Sequence, residues 1–314
     1  MKNKLQACYN LIFQNGVWDE ACSDKLPDTI SFDVVDKQYQ IGVKEEALFD
    51  KPLHFIFENN QKKEIQFQIN LNASSSLDLI ETHVSDQGCD TRCEIKSEIM
   101  LASSALLRHT RVLLLGEQST LISEIEVSQE EKSQYQSHDF FLKGLENQTQ
   151  LFVNLNARQA RCDLSGLYYA KRKEVIKNNI TVKHYSKDTV SKTNYKGVLD
   201  QAATGFFKGN IYVAADASGV DAALKNKNIL LSREASMHTT PQLEIFSDDV
   251  RCTHGATVGQ LDEQALFYLQ SRGLTLMQAR QLLLMAFAQD CTALLSFEPM
   301  KQKIESFFSE QVYV

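Results

Sequence analysis

Ile65, Phe67, Ile69 and Leu71 alternate with Gln66, Gln68, Asn70 and Asn72. A half-buried strand requires this period of two, because successive side chains leave a strand on opposite faces. Short strand-like runs extend from about residue 29 to about residue 258. In their second half the apolar segments keep a rhythm: those around Leu151, Ile180, Ile211 and Leu243 lie 29, 31 and 32 residues apart. An interleaved set near Leu164, Tyr195 and Ile229 lies 31 and 34 apart. Two strands per coil of about 30 residues would produce that spacing, and stacked coils bury a continuous core between neighbours. The rhythm therefore predicts a β-solenoid, with a β-sandwich of strands every 8 to 12 residues as the alternative.

The two ends are patterned differently. Leu5, Cys8, Tyr9 and Ile12 have helical spacing ahead of Gly16, which predicts a short N-terminal helix over 3–14. After Gly259, Asp262 can cap a helix through Arg272, with Gly273 at its C-terminal end. Thr275 and Gln278 form a capping-box pattern before Leu276, Ala279, Leu282, Leu283 and Phe287. A third helix begins near Pro299 and carries Ile304, Phe307 and Phe308. The expected organisation is an N-terminal helical segment (1–28), a β core (29–258) and a small C-terminal helical domain (259–314). The last has more apolar positions than three short helices need among themselves, which suits a docking surface.

Composition narrows the function. The 314 residues include 33 Lys and Arg against 40 Asp and Glu, a net charge of −7 that argues against general coating of nucleic acid. The longest apolar run, Leu282 to Ala288, is far short of a membrane span. Lys2 and Lys4 precede an apolar stretch broken by Gln6, Asn10, Gln14 and Asn15, without the pattern of a secretory signal. The seven scattered cysteines suit reduced thiols. A cytoplasmic protein is expected.

Phosphate-loop, dinucleotide, nucleophile-elbow, zincin and C-x-x-C signatures are absent. His83, Cys89 and Cys93 offer three metal-compatible groups within eleven residues, with Asp86 and Asp90 nearby, but the spacing also suits thiols beside a polar turn. Between Lys171 and Lys196 eight basic residues face two acids, Glu174 and Asp188. That segment reads as a solvated basic face, a partner contact or an RNA-binding module. Cys252 and His254, two apart on an expected strand, would present a thiol and an imidazole on one face. Two donors do not close a tetrahedral site, so either a partner completes it or the pair is structural.

These last residues belong to a longer run. Pro241-Gln242-Leu243-Glu244-Ile245, Asp248-Asp249-Val250, Cys252 through Glu263, Leu266-Phe267-Tyr268-Leu269 and Ser271-Arg272-Gly273 resemble the C-terminal signature of the SufB/SufD family of the SUF iron–sulfur cluster assembly machinery. Upstream, Tyr195 to Leu199, Phe207 to Ile211 and Leu230-Leu231-Ser232 continue the match in order. His254-Gly255-Ala256 and Lys227-Asn228 place the chain on the SufD side, where the sulfur-handling Cys of the SufB paralogue is missing. Leu224 and Thr240 depart from the family pattern, which tends to Gln and Lys.

The resemblance implies a right-handed parallel β-helix and a non-enzymatic scaffold subunit without a stably bound cofactor. It pairs with a SufB-like paralogue, or with a second copy when isolated, and docks a SufC-like ABC ATPase. It further implies that His254, with Cys252 beside it, meets transient iron or a nascent iron–sulfur cluster at an interface completed by the partner. Val250, Leu266, Phe267, Tyr268, Leu269 and Arg272 are the expected partner-binding residues. A secreted-type β-helix carbohydrate-active enzyme is the rival from another class, and RNA binding through 171–196 a second.

Overall fold

Leu151 pairs with Ile180, and Ile211 with Leu243, as register neighbours on adjacent parallel strands. The apolar rhythm of the chain is thus the pitch of a β-helix. The computed structural model describes residues 4–311. In chain order its strands are β1 (Tyr9–Gln14), β2 (Val17–Trp18), β3 (Ile30–Val35), β4 (Gln38–Val43), β5 (Leu53–Glu58), β6 (Lys63–Leu71) and β7 (Ser76–Val84). Next come β8 (Arg92–Leu101), β9 (Leu106–Leu114), β10 (Thr120–Gln129), β11 (Gln134–Lys143), β12 (Glu146–Leu155) and β13 (Arg161–Ala170). The series ends with β14 (Val175–His184), β15 (Val190–Leu199), β16 (Thr204–Val213), β17 (Val220–Leu230), β18 (Ser236–Ile245) and β19 (Val250–Gly259). Helices α1 (Glu263–Ser271), α2 (Leu276–Thr292) and α3 (Glu298–Gln311) follow.

From β4 onward the strands alternate between two parallel sheets. One, called sheet A here, runs β19-β17-β15-β13-β11-β9-β7-β5-β1-β2, and the other, sheet B, runs β18-β16-β14-β12-β10-β8-β6-β4-β3. Tyr135, Cys162, Ser191, Ala222 and Cys252 are successive partners in sheet A, at steps of 27, 29, 31 and 30 residues. About eight coils result. The tight corners place non-glycine residues at positive φ, among them Ser104, Lys132, Gln159 and Asp188. Inward positions of both sheets, such as Ile65, Phe67, Ile69 and Leu71, form one continuous apolar core.

The N-terminal segment differs from the helix expected there. Tyr9–Gln14 is a strand, parallel to β5 over six residue pairs, and residue 3 lies outside the described residues. Ala7 at φ 62° interrupts any helix, and β5 otherwise offers an unpaired edge to a run rich in strand-favouring Tyr, Ile and Phe. Pairing also buries Leu11 and Phe13 in the lumen, where the Phe13 ring stacks on Phe57 at 4.8 Å and meets Phe55 and Phe67 edge-on at 5.5 Å.

The C-terminal helices start where the sequence places them. The Asp262 carboxylate accepts from Gln264 N at 2.8 Å, and Thr275 and Gln278 complete the capping box. They fold back along the solenoid. Leu284, Ala288, Cys291, Ile304 and Phe308 pack on the outward residues Ile80, Val112, Phe140, Leu167, Tyr169 and Val198 of sheet A. Lys196, buried on that outer face, donates to Phe287 O at 2.9 Å and pairs with Asp290 at 2.6 Å. Among the described residues the helices thereby cover the outer face of sheet A from β7 to β15, and none packs on the outer face of sheet B.

Candidate functional site at the open end

The last strand of each sheet has a neighbour on one side only. β18 and β19 therefore present two ten-residue edges whose backbone groups await partners. In β19, Cys252 is the register partner of Ala222 and His254 of Leu224. Ala222 and Leu224 are core residues, and parallel neighbours share a face, so Cys252 and His254 lie on the inward lane of the terminal coil. Cys252 is half-buried against the core, while His254, with no further coil above it, is exposed. Burial, reinforced by Asp221, pushes the Cys252 thiol up from its usual range, so it is protonated near neutrality and is a weak ligand until something draws off the proton. Val250 opens the same lane, half-buried against the core. Among the described residues no group of three or more His, Cys, Asp or Glu side chains is placed so that it could hold a metal ion.

Beside this end, α1 buries none of its residues. Leu266 and Leu269 are half-buried, whereas Phe267 is 74% and Tyr268 57% exposed, with Arg272 over the Tyr268 ring at 5.3 Å. Leu276, Met277 and Leu282 of α2 are exposed as well. Two adjoining surfaces therefore lack protein cover: the strand edges and an apolar helical patch.

The other sequence candidates are not gathered. His83 lies in the lumen, stacked on Phe57 at 4.5 Å and bonded to Glu81 at 3.2 Å. Cys93 is in the core of sheet B, where burial pushes its thiol up to about 12, and Cys89 is in the turn between β7 and β8. The basic run from 171 to 196 is divided: Lys177 and Lys183 occupy outward positions of sheet B, while Lys196 lies beneath α2.

Sequence reasoning did not find a polar ladder inside sheet A. Glu81, Arg111, Asp139, Gly166, Tyr195 and Asn226 are successive register partners. The Glu81 carboxylate meets His83 at 3.2 Å and His109 at 3.0 Å. Burial alone would raise its pKa, but the two imidazoles hold it well below the usual carboxylate range. Arg111 bonds Asp139 at 3.3 Å, and Tyr195 donates to the same carboxylate at 2.6 Å. Asn226 Nδ2 donates to Tyr195 O and to the Tyr168 hydroxyl, which donates to Asn228. Asn228 Nδ2 reaches Thr257 O of β19 at 3.3 Å. The ladder thus ends on the terminal strand. The pairs Glu81 and His83 in β7 and His109 and Arg111 in β9, each two residues apart, and Asp139 beside the apolar run of β11 were its only trace in sequence.

The described residues thus form an open-ended two-sheeted β-helix with an imidazole on its last inward lane and unpaired edges on its last two strands. Residues 56–287 match the family described as SUF system FeS cluster assembly, SufBD core domain, and the chain belongs to that family, whose members are generally non-catalytic scaffold components. It is 31% identical over 206 residues to the iron-sulfur cluster assembly protein SufD of Escherichia coli (strain K12), covering 66% of this chain and 49% of that protein. A SufBD family iron-sulfur cluster assembly protein of Synechocystis is 30% identical over 194 residues, 62% of this chain and 43% of its own length. The chain spans about half the length of these relatives. Among the described residues no helix is long and apolar enough to cross a membrane.

Proposed function

We propose that this chain is a SufD-like, non-enzymatic half of a cytoplasmic iron–sulfur assembly scaffold. Its open end pairs with a SufB-like paralogue, or with a second copy when the chain is isolated, and its helical flank docks a SufC-like ABC ATPase. Iron is cargo in this reading. It enters at the seam, where His254 receives iron or holds the nascent cluster and Cys252 serves as a secondary ligand or packing neighbour. The observation that carries the proposal is the exposure of His254 on the inward lane of the terminal strand. There an imidazole, a good ligand for iron near neutral pH, is left for a partner to complete. The raised Cys252 thiol supports giving it the secondary role.

The test is His254→Ala in a complex reconstituted with the paralogue and the ATPase. An exposed substitution changes stability by within about 0.5 kcal/mol, so heterodimer formation should persist while iron content and cluster absorbance collapse. Normal cluster loading would overturn the role, and loss of the heterodimer would make the residue a structural part of the seam.

A further inference from the structure

The uncovered outer face of sheet B carries a groove of about 340 Å³ at its C-terminal end, within the range of roughly 300–1,000 Å³ typical of small-molecule sites. Gln148, Lys177, Phe206 and His238 are successive register partners on β12, β14, β16 and β18. Phe206, 40% exposed, and His238 stack face to face with ring centroids 5.0 Å apart and planes 14° from parallel. Because the two rings face each other they stand out from the sheet edge-first, and the face of Phe206 turned away from His238, toward Lys177 and the groove, is left to stack a planar heterocycle. The neighbouring lane contributes Asn179 and Lys208, again in register.

Charge is placed at a useful distance. Lys177 is tied to Glu146 at 2.6 Å, which leaves the exposed Lys208 as the cation for a ligand. Lys208 follows Phe206 by two residues on the same strand, a displacement of about 6.7 Å at the usual rise. That is of the order of the separation between a nucleotide base and its 5′-phosphate. The Gln148 and Asn179 amides can donate to and accept from the edge of a ring lying on Phe206.

We propose that this groove binds a phosphorylated planar heterocycle of mononucleotide size, with the ring on the free face of Phe206, extending the Phe206–His238 stack, and the phosphate on Lys208. Phe206 is one strand in from β18, the last strand of sheet B, so a ligand on its far face would lie about two strand spacings from the edge assigned above to the paralogue. The site does not depend on that assignment, because every residue used belongs to this chain.

Calorimetric titration of the full chain with AMP, FMN, adenosine and inorganic phosphate tests the proposal. AMP or FMN should bind saturably, the tighter of the two identifying the heterocycle, with adenosine and phosphate each at least about tenfold weaker. Phe206→Ala should weaken mononucleotide binding about tenfold, within what stacking on an aromatic ring contributes. Lys208→Gln should weaken it similarly while leaving adenosine unchanged, and His254→Ala should have no effect. Absence of saturable mononucleotide binding at millimolar concentration would overturn the proposal, as would phosphate binding as well as AMP. Binding of oligouridylate that tightens with length would instead make the groove part of a nucleic-acid track, which also overturns it.

Discussion

The phenol of Tyr195 lies across Gly166 to reach Asp139, two strands away, with a hydrogen bond of 2.6 Å. A Cβ built on Gly166 would overlap the Tyr195 ring. Gly197 has the same relation to Tyr168, whose hydroxyl passes over it to Asn228. Each glycine is a gap that lets a tyrosine carry hydrogen bonding past one strand of the lumen. The bridge matters because Asp139 is fully buried with Arg111, and a buried charge without its hydrogen bonds is costly.

Gly166→Ala should therefore displace Tyr195 and destabilise the β-helix by about 3–5 kcal/mol, combining overpacking with loss of a bond to a charged group. Tyr195→Phe, which keeps the packing, should cost only about 2 kcal/mol. Urea unfolding of both variants checks the order. Equal stability of Gly166→Ala and wild type would show that the bridge is dispensable.

Docking of the helices onto sheet A depends on Lys196. Asp290→Asn removes the counter-charge of a buried ammonium whose other partners are Phe287 O and the Phe287 ring at 4.8 Å, so α2 should loosen at a cost of about 1–2 kcal/mol. Limited proteolysis should then cut first between 260 and 300. Lys196→Met, which removes the charge and keeps the apolar stem, should be milder, and a harsher effect would contradict this account.

Two sets of groups give stability opposite pH trends. His54, His138 and His184 are neutral in the fold because burial lowers them from 6.5 to about 3, about 4 and about 4. Their contribution is present above the unfolded value and is lost as pH falls from 6.5 toward 4. Burial raises Glu174 from 4.5 to about 7, so its contribution is present below 4.5 and is lost as pH rises to about 7. His184→Gln should remove up to one proton of slope, about 1.4 kcal/mol per pH unit, from the acid limb, and Glu174→Gln should flatten the limb between 4.5 and 7. Denaturant midpoints measured across pH 4 to 8 in each variant check both signs.

Val250→Pro deletes a backbone donor at the start of β19. If the open end is the seam, the heterodimer with the SufB-like paralogue should disappear on size exclusion while helical circular dichroism is retained. An intact heterodimer would move the interface elsewhere.

Phe267 and Tyr268 should matter for the ATPase and for nothing in this chain. Replacing both by Ser should leave Tm within about 2 °C, since neither is buried, and abolish co-purification of the SufC-like ATPase. Undiminished co-elution would free α1 from the docking role.

By itself, the sequence determined the features that depend on near neighbours in the chain. Inward alternation at Ile65 to Leu71, the coil rhythm, the Asp262 cap and the Thr275 capping box follow from periodicity and local hydrogen bonding, and the quoted run from Pro241 to Gly273 was enough to reach the family. Tertiary structure decided what depends on neighbours a coil away. Tyr9–Gln14 reads as a helix until the free edge of β5 is available to pair it. The apolar face of α2 could be free or docked until it meets Val112, Phe140 and Leu167. Glu81, Arg111, Asp139 and Tyr195, spread over 115 residues, form one ladder because parallel register stacks positions about 30 residues apart. Register is fixed by the sum of backbone pairing and core packing along a whole strand, so no single residue announces it.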